Sequence, residues 1–323
     1  MERSEPTKRW SVPDSLRHRF EFALAQTALR TFGSLPRSWA LGLGAGMGAV
    51  ACSPLRVRSS VVEQQIAAAF PERDANWVRN TVRACYRHFG REAAEIVRLD
   101  LLGREDLLDR IHGEDQARMA FQSQAIAGLG AVIVTGHLGN WEAAGAAVSQ
   151  LGMPLAAVVK RQSNSRFDGL LVESRRRLGI EPIYMEEARV RMPDLIRSGV
   201  SVALVADQDA RNRGIFVPFL GRPASTFRGP ARLALQTGAP LFFGAAIREG
   251  DGYRAVVEPV IADRNGPGAE RELTRSWVER LEYRVRLHPE QYFWFHRRWK
   301  TVPETTAAQP GSPTGTAEAR ERY

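Results

Sequence analysis

The sequence predicts an α/β protein in which helices cover both faces of a mostly parallel central sheet, an αβα sandwich. Short apolar runs typical of buried strands begin at residue 131, and helical stretches separate them. The strand-like runs cover 131–136, 155–160, 200–206, 240–247 and 253–261. The helical stretches between them cover 141–151, 163–178, 188–198 and 228–237. Because this alternation favours parallel crossovers, we expect the chemistry beyond the carboxyl ends of the strands.

Helical patterns dominate the chain before these strands and return after them. Segments rich in alanine, arginine and glutamate predict helices over 60–70, 75–100 and 104–126, and a last helix is expected over 268–287. The stretch after Pro303 is rich in Thr, Ala, Pro, Gly and Ser, which favours disorder. We therefore divide the chain into N-terminal helices over 1–60, an α/β domain over 61–302 and a disordered tail over 303–323.

The chain is strongly basic. Its 323 residues carry a formal net charge of +9, and arginine supplies most of the positive charge because the only lysines are Lys8, Lys160 and Lys300. An excess of this size favours an acidic partner: nucleic acid, an anionic membrane surface or an acidic protein. Arginine suits bidentate recognition of phosphate or carboxylate, although a GC-rich genome gives the same bias.

The sequence gives little support to metal or redox chemistry. Cys52 and Cys85 are too few for a cysteine-based zinc site, and they fit a reduced compartment that faces the cytosol. Partners at metal-ligand spacing are missing for His88, His112, His288 and His296. We therefore expect no metal ion and no cofactor.

The N-terminal helices have features of a membrane-associating segment. A helical stripe of apolar residues accompanies Arg17 and Arg19, and it comprises Leu16, Phe20, Phe22, Leu24, Leu29 and Phe32. A basic amphipathic helix of this kind is typical of membrane-surface anchors. The stretch from Ser38 to Leu55 then carries no charge and has about the minimum length of a membrane span. Its four glycines and Pro54 weaken it as a helix, so a span and a buried or interfacial helical hairpin both stay open.

The stretch GHLGNWE, residues 136–142, follows the first buried strand. Asn140 fits the N-cap of the next helix, and Glu142 falls in its first turn, where the helix dipole favours a carboxylate. His137 then lies in the loop, which can fold it back towards Glu142. A carboxylate that holds one imidazole nitrogen leaves the other as a general base. The pattern also fits a histidine at a strand end beside a favourable first-turn glutamate.

Four ordered blocks resemble a known family. H-x-x-x-x-[DE] after a buried strand is the signature of glycerolipid-type acyltransferases, and TGHLGNWE resembles the branch that adds secondary acyl chains to lipid A. That branch also contains mycobacterial phosphatidylinositol mannoside acyltransferases. Further similarity lies in AAFPE (68–72), in the block over 206–241 and in HPEQYFWFHRRWK (288–300). The sequence departs from the family at QQI, where Asn-Leu is usual, and at Leu220, where Phe is common. The resemblance covers roughly residues 35–302.

The resemblance implies direct acyl transfer between two bound substrates. His137 removes the proton from an acceptor hydroxyl, which attacks an acyl thioester, while Glu142 orients the histidine. No G-x-S-x-G nucleophile motif occurs in the sequence, which agrees with a route without a covalent enzyme intermediate. The oxyanion needs hydrogen-bond donors, and both the N–H groups of the glycine-rich loop and a nearby arginine stay open for this role.

Further residues are assigned to substrate binding. Gly139 and Asn140 belong to the catalytic loop, and the resemblance implies that Arg161 contacts a phosphate or headgroup, with Asn164 matching the family pattern. It also implies that Asp207 and Gln208 shape the site and brace the histidine or a headgroup. The spacing of Arg228 and Arg232 suits a phosphate clamp or, equally, an ordinary surface role.

The expected partners follow from the same resemblance. An acyl carrier protein is expected as donor, docked on the basic surface, and a glycolipid or phospholipid as acceptor. We expect the protein on the cytoplasmic face of the inner membrane and no nucleic-acid partner. Three alternatives stay open: an acyltransferase for another acceptor, such as a phosphatidylinositol mannoside, lysophospholipid or aminolipid; a glycosyltransferase that uses the D-x-D of Asp207 and Asp209; and a non-enzymatic membrane-binding module.

Overall fold

The computed structural model describes residues 15–99, 101–102, 104–113 and 128–303, and a seven-stranded sheet forms the centre of this part of the chain. The sheet order is β1-β9-β8-β2-β5-β3-β4. Its strands are β1 (Ile111–His112), β2 (Val132–Thr135), β3 (Leu155–Val159), β4 (Ile180–Tyr184), β5 (Ser201–Val205), β8 (Leu241–Glu249) and β9 (Gly252–Pro259). The five strands from β8 to β4 are parallel, and β9 and β1 run in the opposite direction. A separate antiparallel hairpin pairs β6 (Ile215–Phe219) with β7 (Arg222–Thr226).

The helices of the described residues flank this sheet and precede it. The N-terminal helices are α1 (Leu16–Ser34), α2 (Arg37–Cys52), α3 (Ser59–Ala69), α4 (Ala75–Leu99) and α5 (Arg104–Leu108). The helices between and after the strands are α6 (Trp141–Gln150), α7 (Ser165–Arg177), α8 (Met185–Arg197), α9 (Gly229–Thr237) and α10 (Ala269–Leu287). The predicted helical stretches after residue 131 therefore correspond to observed helices.

The two largest hydrophobic cores of the described residues lie on opposite faces of the sheet. Side chains alternate along a strand, so Val132 and Val134 face one core and Ile133 faces the other. The first core contains residues of α9 and α10, and the second contains residues of α6. This confirms the predicted αβα sandwich with a mostly parallel sheet.

Some elements differ from the prediction. The helix expected over 104–126 is wrong, because α5 ends at Leu108 and β1 follows at Ile111 and pairs with β9. Residues 114–127 lie outside the described residues. The sequence also gave no indication of β4, which contains Pro182 and lies at the sheet edge, where proline is tolerated. The β6–β7 hairpin was missed because both strands carry prolines, which obscure the strand pattern.

Helix α2 lies against α4 at very short range. A Cβ atom at Gly44 would collide with the carbonyl oxygen of Gly90, and one at Gly48 would collide with that of Tyr86. The glycines that weaken this segment as an isolated helix therefore allow its backbone to approach α4. Among the described residues, no helix is both long and apolar enough to cross a membrane.

Contacts at both ends hold helix α1 to the rest of the described chain. Arg98 of α4 donates to the carbonyl oxygens at the end of α1, including that of Leu35 at 2.7 Å. At the other end, the side-chain amide of Asn164 donates to the carbonyl of His18 at 2.9 Å. The boundary expected near residue 60 stays a prediction. Of the tail predicted over 303–323, all but Pro303 lies outside the described residues.

Candidate active site

His137 lies directly beyond β2, at the carboxyl edge of the parallel strands. Its Nδ1 is 2.6 Å from Oδ1 of Asp207, and its backbone N–H donates to Oδ2 of the same carboxylate at 2.9 Å. Asp207 follows β5, which pairs with β2, so neighbouring strand ends bring the two side chains together. Gly136 permits this approach, since a Cβ atom there would lie 2.8 Å from Leu281 and 3.2 Å from Asp207 Oδ2.

The Asp207 carboxylate sets the protonation of this pair. Burial by itself would lower the pKa of His137, but the charge and hydrogen bond of Asp207 outweigh it and raise the pKa above its usual value. Burial opposes the ionised form of Asp207 as well, and its contacts with His137 nevertheless hold its pKa well below the usual range. Asp207 is therefore an anion that accepts the Nδ1 proton, and Nε2 is the nitrogen left to act as a base.

Glu142 does not hold His137. Its carboxylate pairs with Arg175 of α7, at 3.1 Å from Nε and 2.5 Å from Nη2. The expectation that Glu142 orients the imidazole is thus corrected: the first turn of α6 directs Glu142 to Arg175, and Asp207 occupies the imidazole nitrogen. Glu142 lines the same cavity as His137, and a part in catalysis stays a prediction.

The N–H groups of the catalytic loop are already engaged. Those of Leu138, Gly139 and Asn140 donate to the carbonyls of Gly136, Gln291 and Ala246 at 2.8–2.9 Å, and that of His137 donates to Asp207. The N–H groups of residues 137–140 are therefore not free to donate to an oxyanion. A nearby arginine as the oxyanion donor stays a prediction.

Gly139 and Asn140 support the site instead of contacting substrate. Gly139 has a φ of +61°, and a Cβ atom there would collide with the carbonyl of Ala246. The Asn140 side chain is fully buried: its oxygen accepts from the N–H of Ala143 at 2.9 Å, which caps α6, and its amide donates to Glu92 at 2.9 Å. Their assignment to substrate binding is corrected, because both are enclosed by protein.

A buried ionic cluster holds Asn140 in place. Glu92 of α4 pairs with Arg248 of β8 and accepts from the phenol of Tyr253 at 2.6 Å. All three side chains are almost entirely buried. Desolvation of these charges is offset only while every partner is present, so the cluster fixes α4, β8 and the start of α6 relative to one another.

The C-terminal block closes the other side of the site. The N–H of Phe293 donates to the carbonyl of His137 at 2.9 Å. The buried phenol of Tyr292 lies 3.3 Å from Nε2 of His296. Burial, and to a smaller extent the charge of Asp207, raise the pKa of Tyr292 well above its usual value. Burial lowers the pKa of His296 to about 4, so this second imidazole is neutral at pH 7.

A cavity of about 630 Å³ opens beside His137 and extends between α6 and the sheet. The helix contributes small residues to its wall, among them Ala144, Gly145 and Ala147. The sheet contributes others, among them Ala157, Ala203 and Gly244. Small side chains on both surfaces leave the gap unfilled, which is unusual in a close-packed interior. Its size and apolar wall suit an extended alkyl chain or another apolar ligand.

Two cations without a carboxylate partner line the mouth of this cavity. Lys160 follows β3 and Arg211 follows β5, so both lie at the same sheet edge as His137. Neither makes an ion pair with any described residue. Arg211 has a φ of +55°, and its N–H donates to Asp209 at 2.7 Å while its carbonyl accepts from Ser225 at 2.6 Å. Holding a non-glycine residue in this conformation costs energy, which is common where function needs the side chain.

The family model described as bacterial lipid A biosynthesis acyltransferase matches residues 14–301 of this chain. The chain belongs to this family. It is an acyltransferase, and the resemblance in the four sequence blocks is confirmed. The glycosyltransferase alternative is thereby set aside.

The names of individual relatives of this acyltransferase refer to different lipids. It is 29% identical over 225 residues to a phosphatidylinositol mannoside acyltransferase of Mycobacterium tuberculosis strain H37Rv. The alignment covers 67% of this chain and 69% of the relative. It is 27% identical over 281 residues to the lipid A biosynthesis lauroyltransferase of Escherichia coli K12, which covers 81% and 85%. The E. coli lipid A biosynthesis palmitoleoyltransferase is 24% identical over 268 residues, with the same coverage.

The structure places the remaining predicted residues of the acyltransferase in two groups. Gln208 is exposed and lines the cavity. Arg161 lies over the ring of Tyr184, 3.5 Å from its centre, and is outside the cavity wall, where Lys160 takes the neighbouring position. Asn164 caps α7 through the N–H of Phe167 and binds α1, so its assignment to substrate binding is corrected to a structural one.

Arg228 and Arg232 converge on a carboxylate. Both donate to Glu270 of α10, at 3.1 Å from Nη2 of Arg228 and 3.1 Å from Nε of Arg232. Glu270 thus holds both guanidinium groups in this structure, and a phosphate clamp at this pair stays a prediction. Asp209 of the D-x-D pair accepts from the backbone and hydroxyl of Thr301 at 2.7 and 2.8 Å.

Sequence reasoning missed Arg175, Lys160 and Arg211 as cavity residues. Lys160 was identifiable as a strand-end cation, but the neighbouring Arg161 matched the family pattern and took its place. Arg211 gave no signal, because its positive φ and the lack of an ion pair between its guanidinium and any described residue arise only in the folded chain. Trp294 and Trp299 of the C-terminal block are buried in the first core.

Proposed function

We propose that this acyltransferase moves a fatty acyl chain from an acyl carrier protein thioester to a hydroxyl of a lipid A-type glycolipid. The observation that carries the proposal is the His137–Asp207 pair at the mouth of an apolar cavity. A base directed at a cavity that suits an alkyl chain is the arrangement that acyl transfer to a hydroxyl needs.

In the proposed step, Nε2 of His137 removes the proton from the acceptor hydroxyl as its oxygen attacks the thioester carbonyl. Asp207 stabilises the imidazolium that forms, as its position on Nδ1 allows. The tetrahedral intermediate then expels the thiolate, which receives the proton from the imidazolium. The products are an ester and a free thiol, and no acyl group is attached to the enzyme.

The cations at the cavity mouth suit the charges of these substrates. Arg211 and Lys160 provide donors for a substrate phosphate, or for the oxyanion, next to the base. This replaces the phosphate contact that the sequence assigned to Arg161.

The N-terminal helices support a location at the membrane. Trp39, Leu43, Met47 and Val50 recur along the face of α2 that is turned away from Gly44 and Gly48, and all four are exposed. Leu16, Phe20 and Leu24 are exposed along α1 at a spacing of four residues, which also places them on one face. An apolar stripe beside basic side chains is the chemistry of an interfacial helix. We place the protein on the cytoplasmic face of the inner membrane, where an acyl carrier protein meets its acceptor.

A phosphatidylinositol mannoside is the second candidate acceptor, because the M. tuberculosis acyltransferase of that lipid shares 29% identity with the chain. The lipid A-type acceptor is favoured by the longer match, since the E. coli lauroyltransferase aligns over 81% of the chain. Both acceptors carry sugar hydroxyls and a phosphate, so the proposed step is the same for each.

The test is acyl transfer by detergent-solubilised protein. Labelled acyl carrier protein thioester or acyl-CoA is supplied with a Kdo-lipid A precursor, a phosphatidylinositol mannoside or a lysophospholipid, and products are read by mass spectrometry. His137→Ala should abolish transfer, whereas His288→Ala, outside the cavity, should retain it. Transfer to a different acceptor overturns the lipid A assignment, and retained transfer in folded His137→Ala overturns the mechanism.

A further inference from the structure

A second cavity, of about 300 Å³, lies at the end of α2, remote in the chain from the catalytic loop. The connection between α2 and α3 forms one side, and α4 forms the other. Its polar lining consists of Ser53, Arg56, Ser59, Glu63, Arg79 and Arg83. Nothing in the proposed reaction uses these residues.

The lining carries an uncompensated positive charge. Arg79 and Arg83 lie one turn apart on α4, and their side-chain hydrogen bonds within the described chain go to the neutral amides of Asn76 and Asn80. Arg56 forms no ion pair with any described residue. Glu63 is the one acidic side chain in the described lining, so three guanidinium groups face a single carboxylate. Elsewhere, as at Glu270, arginines that converge do so on a carboxylate.

The backbone holds Arg56 in place beside this cavity. Arg56 has a φ of +51°, and its carbonyl accepts from the N–H of Ser59 at 3.2 Å. The N–H of Val57 donates to the carbonyl of Ala51 at 2.9 Å, which folds the connection back onto α2. A hydrogen-bonded loop therefore sets the backbone position from which the Arg56 side chain reaches the cavity.

The exposed apolar residues beside the cavity continue the apolar stripe of α2. Leu55 and Val57, on either side of Arg56, are 65% and 48% exposed. They follow Met47 and Val50 of the stripe along the chain. When apolar side chains enter the outer part of a bilayer, basic groups beside them lie at the level of the lipid phosphates.

We propose that this cavity binds the phosphate of an anionic phospholipid and fixes the enzyme on the membrane. Arginines pair with phosphate oxygens in bidentate geometry, and the hydroxyls of Ser53 and Ser59 add neutral donors. The inference rests on the membrane association proposed above. It concerns a site separate from the catalytic cavity, so the lipid bound here is an anchor and not a substrate.

The test is sedimentation of the full chain with vesicles of phosphatidylcholine, with and without phosphatidylglycerol. The variant Arg56→Gln/Arg83→Gln should bind the mixed vesicles about 25-fold more weakly, at about fivefold for each basic residue near an anionic surface. The control Arg189→Gln/Arg275→Gln removes the same charge from exposed positions on α8 and α10, and should bind almost as the unchanged protein does. Binding to pure phosphatidylcholine should be equal for all three.

Each other outcome overturns the site. Equal losses in the two double variants mean diffuse attraction without a pocket. Unchanged vesicle binding, with a raised KM for acyl carrier protein thioester in detergent, assigns the arginines to the carrier protein instead. The proposed reaction is tested separately, because His137→Ala should lose acyl transfer and keep vesicle binding, whereas Arg56→Gln/Arg83→Gln should keep transfer in detergent.

Discussion

Asp207 Oδ1 lies 2.6 Å from Nδ1 of His137, although the two residues are 70 positions apart in the chain. The contact exists because β2 and β5 are neighbours in the sheet and their carboxyl ends meet at one edge. It replaces the expected contact with Glu142 and defines which nitrogen is free to act as the base.

Replacement of Asp207 by Asn should lower turnover by about 100-fold or more, since a positioned base contributes at least this much. The neutral histidine is the active form, so kcat/KM rises with pH through the pKa of His137, which Asp207 raises. Loss of the charge should therefore shift the rising limb to lower pH. The measurement is the pH profile of kcat/KM, with Asp194→Asn on exposed α8 as control. A rising limb at the same pH in Asp207→Asn as in the unchanged protein would contradict the pairing of Asp207 with His137.

The variant Glu142→Gln separates the two carboxylates. It breaks the ion pair with Arg175 at the cavity wall but leaves Asp207 on the imidazole. We expect kcat to fall at least about tenfold, as for an essential polar group at the site, with the rising limb of the pH profile unchanged. A limb displaced as in Asp207→Asn would return the orienting role to Glu142.

Replacement of Arg211 by Gly should stabilise the protein and weaken substrate binding. Arg211→Gly removes the charge and fits the positive φ, so we expect the free energy of unfolding to rise by about 1 kcal/mol and the KM for a phosphorylated substrate to rise about tenfold. Arg211→Lys should retain most of the binding. The KM is measured for the acyl donor and for the acceptor separately, and the substrate whose KM rises is the one whose phosphate Arg211 binds. Arg213→Gln, which is outside the cavity wall, is the control.

The length of the transferred chain should depend on Gly145. A Cβ atom at this position would lie 3.0 Å from Ile180 across the cavity wall, so Gly145→Leu fills part of the cavity. We expect the preferred acyl chain to shorten, as measured with a series of acyl carrier protein thioesters. Gly169→Leu on α7, where a Cβ atom meets open space, should leave the preference unchanged. An unaltered preference in Gly145→Leu would place the acyl chain elsewhere.

Two glycines of α2 should respond to alanine with opposite signs. Gly46 has open space around it, so Gly46→Ala should stabilise the protein by up to about 1 kcal/mol through helix propensity. At Gly48 a Cβ atom would collide with the carbonyl of Tyr86, so Gly48→Ala should destabilise by about 1–3 kcal/mol. The free energy of unfolding in detergent measures both. Similar values for the two variants would mean that α2 does not lie against α4.

The sequence alone determined the αβα fold, the position of His137 at a strand end and the family. These follow from local patterns: buried apolar runs, a helix start at Asn140 and blocks of neighbouring residues. Only the tertiary structure decided which carboxylate holds His137, that Arg228 and Arg232 meet Glu270, and that Asn140 and Asn164 are enclosed by protein. The physical reason is that ion pairs and burial depend on which strand ends and helix faces become neighbours. Spacing along the chain does not contain that information for residues as distant as His137 and Asp207.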